Sequence, residues 1–171
     1  GMGINIISSS NIVIKDVSVL KCWGDNIYIG QKTVSSTDFG ESILIDNVIS
    51  RYGRRQGLSV ITAKDLTISN STFTDTGSIK YTAPGAGINI EPNSSDATLK
   101  NISISNCYFE NNQGNNVDLL FVNVNPTSNI RVSGCTCKGN IRFATVSNNI
   151  LIASSYINNV VVLSGVIHNN V

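Results

Sequence analysis

Two carboxylates in this chain of 171 residues, Glu91 and Asp118, are brought together by repeated text. Glu91 closes the stretch Gly87-Ile88-Asn89-Ile90-Glu91, and Asp118 lies in Asn116-Val117-Asp118-Leu119. The same text recurs at Gly3-Ile4-Asn5-Ile6, Asn26-Ile27-Tyr28-Ile29 and Gly57-Leu58-Ser59-Val60. Each copy alternates apolar and polar residues, as a short strand with one buried face does. Alignment puts Asn5, Tyr28, Ser59, Asn89 and Asp118 in one outward column. Glu91 falls two residues further along, in the column of Gly30, Ile61 and Leu120, and is a diagonal neighbour of Asp118. Strand rise and strand spacing predict β-carbons about 8 Å apart. Carboxyls about 6.5 to 9.5 Å apart leave room for a water between an acid and a base. One carboxyl then protonates a leaving oxygen while the other activates the water. The plainer reading is two solvated surface acids.

Arg54 and Arg55 lead into Gly57, with Asp25 one repeat earlier and Glu91 one repeat later. A guanidinium there suits a carboxylate ligand, which it grips with two N–H groups. It also suits the enolate of a β-elimination. The structural alternative is a corner ion pair between Arg55 and Asp25, and the two roles are compatible. Tyr28 and Asn89 point outward by alternation, and Tyr81 lies in a long insertion. Aromatic faces pack on the apolar face of a sugar ring. Tyr28 is the candidate for that contact, or for a general acid or base. Trp23 reads either as a corner plug or as a sugar platform. His168 receives no role.

These residues need a scaffold that repeats. A second strand type begins at Asn11, Ser42, Asp65, Asn101, Asn129 and Asn149, reading for example Asn101-Ile-Ser-Ile-Ser-Asn-Cys107. A third short strand follows, with Val19, Phe73, Phe109, Cys137 and Ile157 facing inward. Helix periodicity is absent, and two-residue hairpin turns are absent too. Similar strands that follow one another without a reversing turn must stack in parallel, rung on rung. The fold class is therefore all-β, a parallel β-helix of three short strands per rung and about six rungs. The chain opens inside a first-strand copy and stops at Asn169-Asn170-Val171, so the expectation is one domain over 1–171, truncated at both ends.

Stacking predicts columns. Asp16, Asn47, Asn70 and Asn106 end the second strand, where an amide can bond its neighbour about 4.8 Å away. Such residues also tolerate the left-handed backbone of a sharp corner. Cys107 and Cys135 share the next column, and parallel stacked thiols are expected to stay reduced. Length variation must leave as loops. The insertions are Gly30 to Glu41, Thr74 to Ala86 and Pro92 to Lys100, two of which flank the Glu91 strand. Loops around one face of a rigid scaffold make a groove.

Composition excludes some partners. The net charge is +1 and 13% of residues are charged, which is no electrostatic footprint for nucleic acid or an anionic membrane. No apolar run reaches about 18 residues, the length that crosses a bilayer. The cysteines and the single histidine form no zinc pattern. No metal or other cofactor is required, although calcium at Glu91 and Asp118 is chemically compatible.

The coil pattern, with Cys22 to Gly30, Arg54 to Val60 and Gly85 to Asn93, resembles the pectate-lyase-like β-helix superfamily, and within it phage tailspikes and bacterial polysaccharide-acting enzymes. The resemblance implies a right-handed coil and a polysaccharide substrate. It implies a glycoside hydrolase or polysaccharide lyase, or else a non-catalytic glycan-binding or structural module of a phage fibre or adhesin. It further implies an extracellular, cell-surface or virion location, and a homotrimer in the tailspike case. On that reading Glu91 and Asp118 are the catalytic acids. Arg54, Arg55, Tyr28, Asn89, Asp25 and Tyr81 bind the substrate. The chain lacks the Asp-Asp pair and Gly-His-Gly turn of the polygalacturonase type, and the calcium-cluster motifs of the pectate lyase type.

Overall fold

The computed structural model describes residues 1–121, 128–145, 150–153, 155–164 and 167–168. They contain strands and corners, and no helix long and apolar enough to cross a membrane. The first rung comprises β1 (Ile4–Ile7), β2 (Ser10–Lys15) and β3 (Ser18–Leu20). The second comprises β4 (Ile27–Gly30), β5 (Gly40–Asp46) and β6 (Ile49–Arg51). The third comprises β7 (Leu58–Val60), β8 (Ala63–Ser69) and β9 (Thr72–Thr74), and the fourth β10 (Ile88–Ile90), β11 (Leu99–Ser105) and β12 (Tyr108–Glu110). The fifth begins with β13 (Val117–Phe121) and β14 (Ser128–Ser133). Strand β15 (Thr136–Thr145) then runs through the next corner, pairing with β12 by its first half and with β13 by its second. Beyond it lie β16 (Ile150–Ala153), β17 (Tyr156–Ser164) and β18 (Ile167–His168). The end of the chain at Asn169 to Val171 lies outside the described residues.

All strand pairings among the described residues are parallel, so the chain is a parallel β-helix. The expected registers hold. Asn5 pairs with Tyr28, Tyr28 with Ser59, Ser59 with Asn89, and Asn89 with Asp118. Second strands stack from Ile12 through Ile43, Leu66, Ile102 and Ile130 to Ile150. Each rung turns its alternate apolar residues into one continuous core, and Ile27, Leu58, Ile88 and Val117 are buried one above another. Burying such a side chain fully stabilises the fold by about 1.5–3 kcal/mol. Phe73 and Phe109 stack with ring centroids 5.6 Å apart, within the third-strand column predicted for them. Ser50 is a polar member of that column. Its hydroxyl accepts from Asn26 and donates to the Gly57 carbonyl, at 3.0 and 2.9 Å.

The corners explain the Asn, Asp and Ser content. Asp16, Asn47, Asn70 and Asn106 all have left-handed φ, between 51° and 57°. The amide ladder is made at one step there, Asn47 donating to Asp16 at 2.7 Å, while Asn70 turns to Asp46 instead. A second left-handed column runs through Asn11, Ser42, Asp65, Asn101 and Asn129. There Asn101 donates to Asp65 and Asn129 to Asn101, at 2.7 and 3.0 Å. The four cysteines are free thiols, and burial pushes Cys137 up to about 12.

The insertions frame the outward face of the first-strand stack. Those after β4 and β10 lean together beyond its C-terminal end, where the Thr98 hydroxyl donates to the Ser36 carbonyl at 3.1 Å. The insertion between β9 and β10 lies at the other end. It is no free flap. Thr82 and Gly85 donate to the Arg54 and Arg55 carbonyls, and Gly114 donates to Gly85.

Candidate functional site

The outward column of the first strands reads Tyr28, Ser59, Asn89, Asp118 and then Arg142, which pairs with Asp118. Arg142 is not among the residues expected from the sequence, because no corner separates its strand copy from the one before it. Its signal was present. Asn140-Ile141-Arg142-Phe143 repeats the pattern of Asn26-Ile27-Tyr28-Ile29.

Asp118 has no exposed surface. Its two oxygens accept from Arg142 Nε and Nη2 at 2.8 and 2.5 Å, and from Asn115 at 3.2 Å. Asp25, one residue before the buried Asn26 of the corner, is closed in the same way. Arg55 Nε and Nη2 donate to it at 2.8 and 2.7 Å, and it too has no exposed surface. The corner ion pair therefore forms. Hydrogen bonding to the carboxylate holds each guanidinium above its ordinary value, with Asp25 the main cause for Arg55 and Asp118 for Arg142. The charge of Glu91 adds to both.

Glu91 lies between these pairs. Its N–H continues the sheet by donating to the Val60 carbonyl at 3.0 Å. Its carboxylate accepts from Asn89 Nδ2 at 2.8 Å and has no cation within 4 Å among the described residues. It is half-buried. The sheet register makes it the diagonal neighbour of Asp118, as aligned. Asn89 donates through Nδ2 to Glu91, and its own Oδ1 is buried without a partner among the described residues. The Ser59 hydroxyl beside it is also buried and unpartnered. Orphaned buried polar atoms are rare in folded proteins and call for an explanation.

Tyr28 does not stand away from the sheet. Its ring lies over Gly30, where a β-carbon would come within 2.5 Å of the ring and 2.8 Å of the hydroxyl. Glycine two residues on thus lays the phenol along the strand. Burial pushes the phenol above its ordinary value, with Asp25 adding to the shift and Arg55 opposing it.

Two predicted binding residues go elsewhere. Arg54 turns away from Arg55 and sits over the Trp23 ring, 4.3 Å from its centroid. Trp23 is 63% exposed, so it is no corner plug. Tyr81 is exposed and lies along the glycines of its own loop. A β-carbon on Gly85, whose φ is +71°, would come within 2.6 Å of its ring. The donor set fits calcium poorly, since Arg142 occupies both oxygens of Asp118. No group of three acid, histidine or cysteine side chains suited to a metal occurs among the described residues.

No protein-family model matches the chain. It is 33% identical over 124 residues to the uncharacterized protein YclG of Bacillus subtilis (strain 168), an alignment covering 68% of this chain and 21% of that protein. Its structure is similar to the tailspike protein gp49 of Acinetobacter baumannii bacteriophage Fri1, a capsular polysaccharide depolymerase. The TM-score is 0.59 and the identity 19%, over 95% of this chain and 34% of the tailspike. The chain thus spans about a fifth of the first and a third of the second. The second likeness establishes the shared fold.

Proposed function

We propose that the outward face of the first-strand stack acts on a polysaccharide, with Glu91 as its working carboxylate. One observation carries this reading. Asp25 and Asp118 are each closed by a bidentate arginine, while Glu91, on a rung between them, has one amide partner and no cation among the described residues. The orphaned Ser59 and Asn89 oxygens beside it support a ligand there. The tailspike with the same fold is a capsular polysaccharide depolymerase, which supports the substrate class.

The geometry favours elimination from a uronic acid over hydrolysis by two acids. In elimination Glu91 takes the proton next to the sugar carboxylate. The N–H groups that Arg55 and Arg142 do not spend on their aspartates steady the enolate. Tyr28, held neutral, returns a proton to the leaving glycosidic oxygen. Asp118 is asked only to hold Arg142. Hydrolysis asks Asp118 to activate water, which requires it to release Arg142. Arg55 and Asn89 then act as substrate contact and positioning group, and Asp25 holds Arg55. A substrate of this kind is met outside the cell, at a cell surface or by a virion. A homotrimer is the assembly expected in the tailspike case.

A second reading rests on the full burial of Ser59, Asn89 and Asp118. On it the face is closed, and the protein binds glycan or serves as structure without cleaving. Incubation with alginate, polygalacturonate, hyaluronan and bacterial capsular polysaccharides separates the readings. Elimination gives shortened chains with ultraviolet absorbance of an unsaturated uronate. Reducing ends without that absorbance mean hydrolysis, and retention without shortening means binding alone.

A further inference from the structure

We propose that the corner between the third and first strands holds a second site, which binds the acid group of an anionic sugar. Lys21, Trp23, Tyr52, Arg54, Ile79 and Lys80 line a cavity of about 220 Å³ there. Three chain segments build it, the corners before β4 and β7 and the insertion before β10. The backbone ladder from Thr82 and Gly85 to the Arg54 and Arg55 carbonyls seats that insertion, and with it Lys80.

Cations and rings interleave in this corner. Lys80 Nζ lies 4.6 Å from the Trp23 centroid, on the ring that Arg54 also faces at 4.3 Å. Lys21 Nζ lies 5.9 Å from the Tyr52 centroid. Ring faces attract cations but carry no net charge. The neighbouring arginines are neutralised, Arg51 by Asp75 and Arg55 by Asp25, both at 2.7 Å. Lys21, Arg54 and Lys80 have no carboxylate within 4 Å among the described residues. Arg54 Nε is moreover a buried donor without a partner. A chain of net charge +1 thus gathers three uncompensated cations around one cavity. An anion between them removes their mutual repulsion and satisfies Arg54. Exposed Trp23 and Ile79 supply apolar surface for the rest of the ligand. An acidic sugar has both parts, a carboxylate or sulfate and an apolar ring face. Nucleic acid is matched by cations spread along a phosphate track, and here they meet at one point. The choice of a sugar to carry the acid rests on the function proposed above; the preference for an anion does not.

Trp23 is the one tryptophan of the chain, so its fluorescence reports this corner. The chain is titrated at constant ionic strength with acidic oligosaccharides (galacturonate, mannuronate and heparin-derived), neutral maltotriose, inorganic sulfate and oligothymidylate. A saturable change is expected with at least one acidic oligosaccharide and not with maltotriose. Lys80→Gln, at an exposed position, is expected to weaken it at least about tenfold, the loss of one charge-assisted contact. Silence with every acidic oligosaccharide overturns the proposal, and so does an unchanged affinity in Lys80→Gln. Equal affinity for sulfate alone, equal response to maltotriose, or tighter binding of oligothymidylate overturns it as well. Turnover at Glu91 does not enter this readout, so the two sites fail separately.

Discussion

Asp118 and Arg142 are partners in adjacent rungs of one column, and the guanidinium reaches back to hold both carboxylate oxygens, at 2.8 and 2.5 Å. The pair is unequal in its access to water. Asp118 has no exposed surface, whereas the Arg142 side chain is 30% exposed. Removing the arginine strands a buried anion with Asn115 as its remaining donor. Removing the carboxylate charge leaves a cation that water can reach. Arg142→Gln is therefore expected to cost about 2 to 3 kcal/mol, less than a fully buried broken pair because Arg142 is partly wet, and Asp118→Asn about 1 kcal/mol. Urea midpoints at equal slope measure both. A larger loss in Asp118→Asn would contradict this ordering.

Tyr28 carries the pH prediction. Burial, its main perturbation, raises the phenol value in the folded chain. A raised value means that the folded state holds the proton more tightly than the unfolded one. The resulting stability is complete below the ordinary tyrosine value of about 10 and is lost as pH rises through the raised one. Tyr28 stays a proton donor throughout that lower range. Subtracting the alkaline absorbance titration of Tyr28→Phe from that of the parent isolates this phenol. It is expected to ionise above the ordinary value, and ionisation at or below it would remove Tyr28 as the neutral acid.

The second-strand corner offers a test of the fold. Asn106 has φ of 53°, and Gly134 takes the same place one rung on, with φ of 63°. Asn106→Gly is expected to stay within about 0.5 kcal/mol of the parent, since glycine adopts this backbone freely. Asn106→Ala is expected to lose about 1 to 2 kcal/mol, the cost of a left-handed residue with a β-carbon. Thermal or urea unfolding reads the difference. Equal losses in the two variants would mean that the corner is held by something other than backbone conformation.

Much of this architecture is legible in the sequence because its rungs are written in repeated text. Period-two alternation marks the strands, and the absence of reversing turns forces the stack, so registers such as Asn89 against Asp118 follow directly. The Asp25–Arg55 pair was readable for the same reason. Arg142 carries the same text in Asn140-Ile141-Arg142-Phe143, but β15 runs from one strand position into the next without the corner that marks the earlier rungs, so the copy is easily passed over. The divergence of Arg54 from Arg55 was also hidden. Corner backbone, rather than alternation, decides where consecutive corner side chains go. Tyr81 is a similar case, since a loop can fold an aromatic ring against its own glycines.

Glu91, on a rung between the two aspartate–arginine pairs, is the proposed working carboxylate of the face. Its most direct test compares Glu91→Gln with the parent on a polysaccharide that the parent shortens, with bound glycan measured in parallel. The variant keeps the shape and the Asn89 contact but cannot take or give a proton at that position. A loss of about a hundredfold or more in cleavage is expected, the scale of general acid–base catalysis, with binding retained. Cleavage by Glu91→Gln at the parent rate would contradict it.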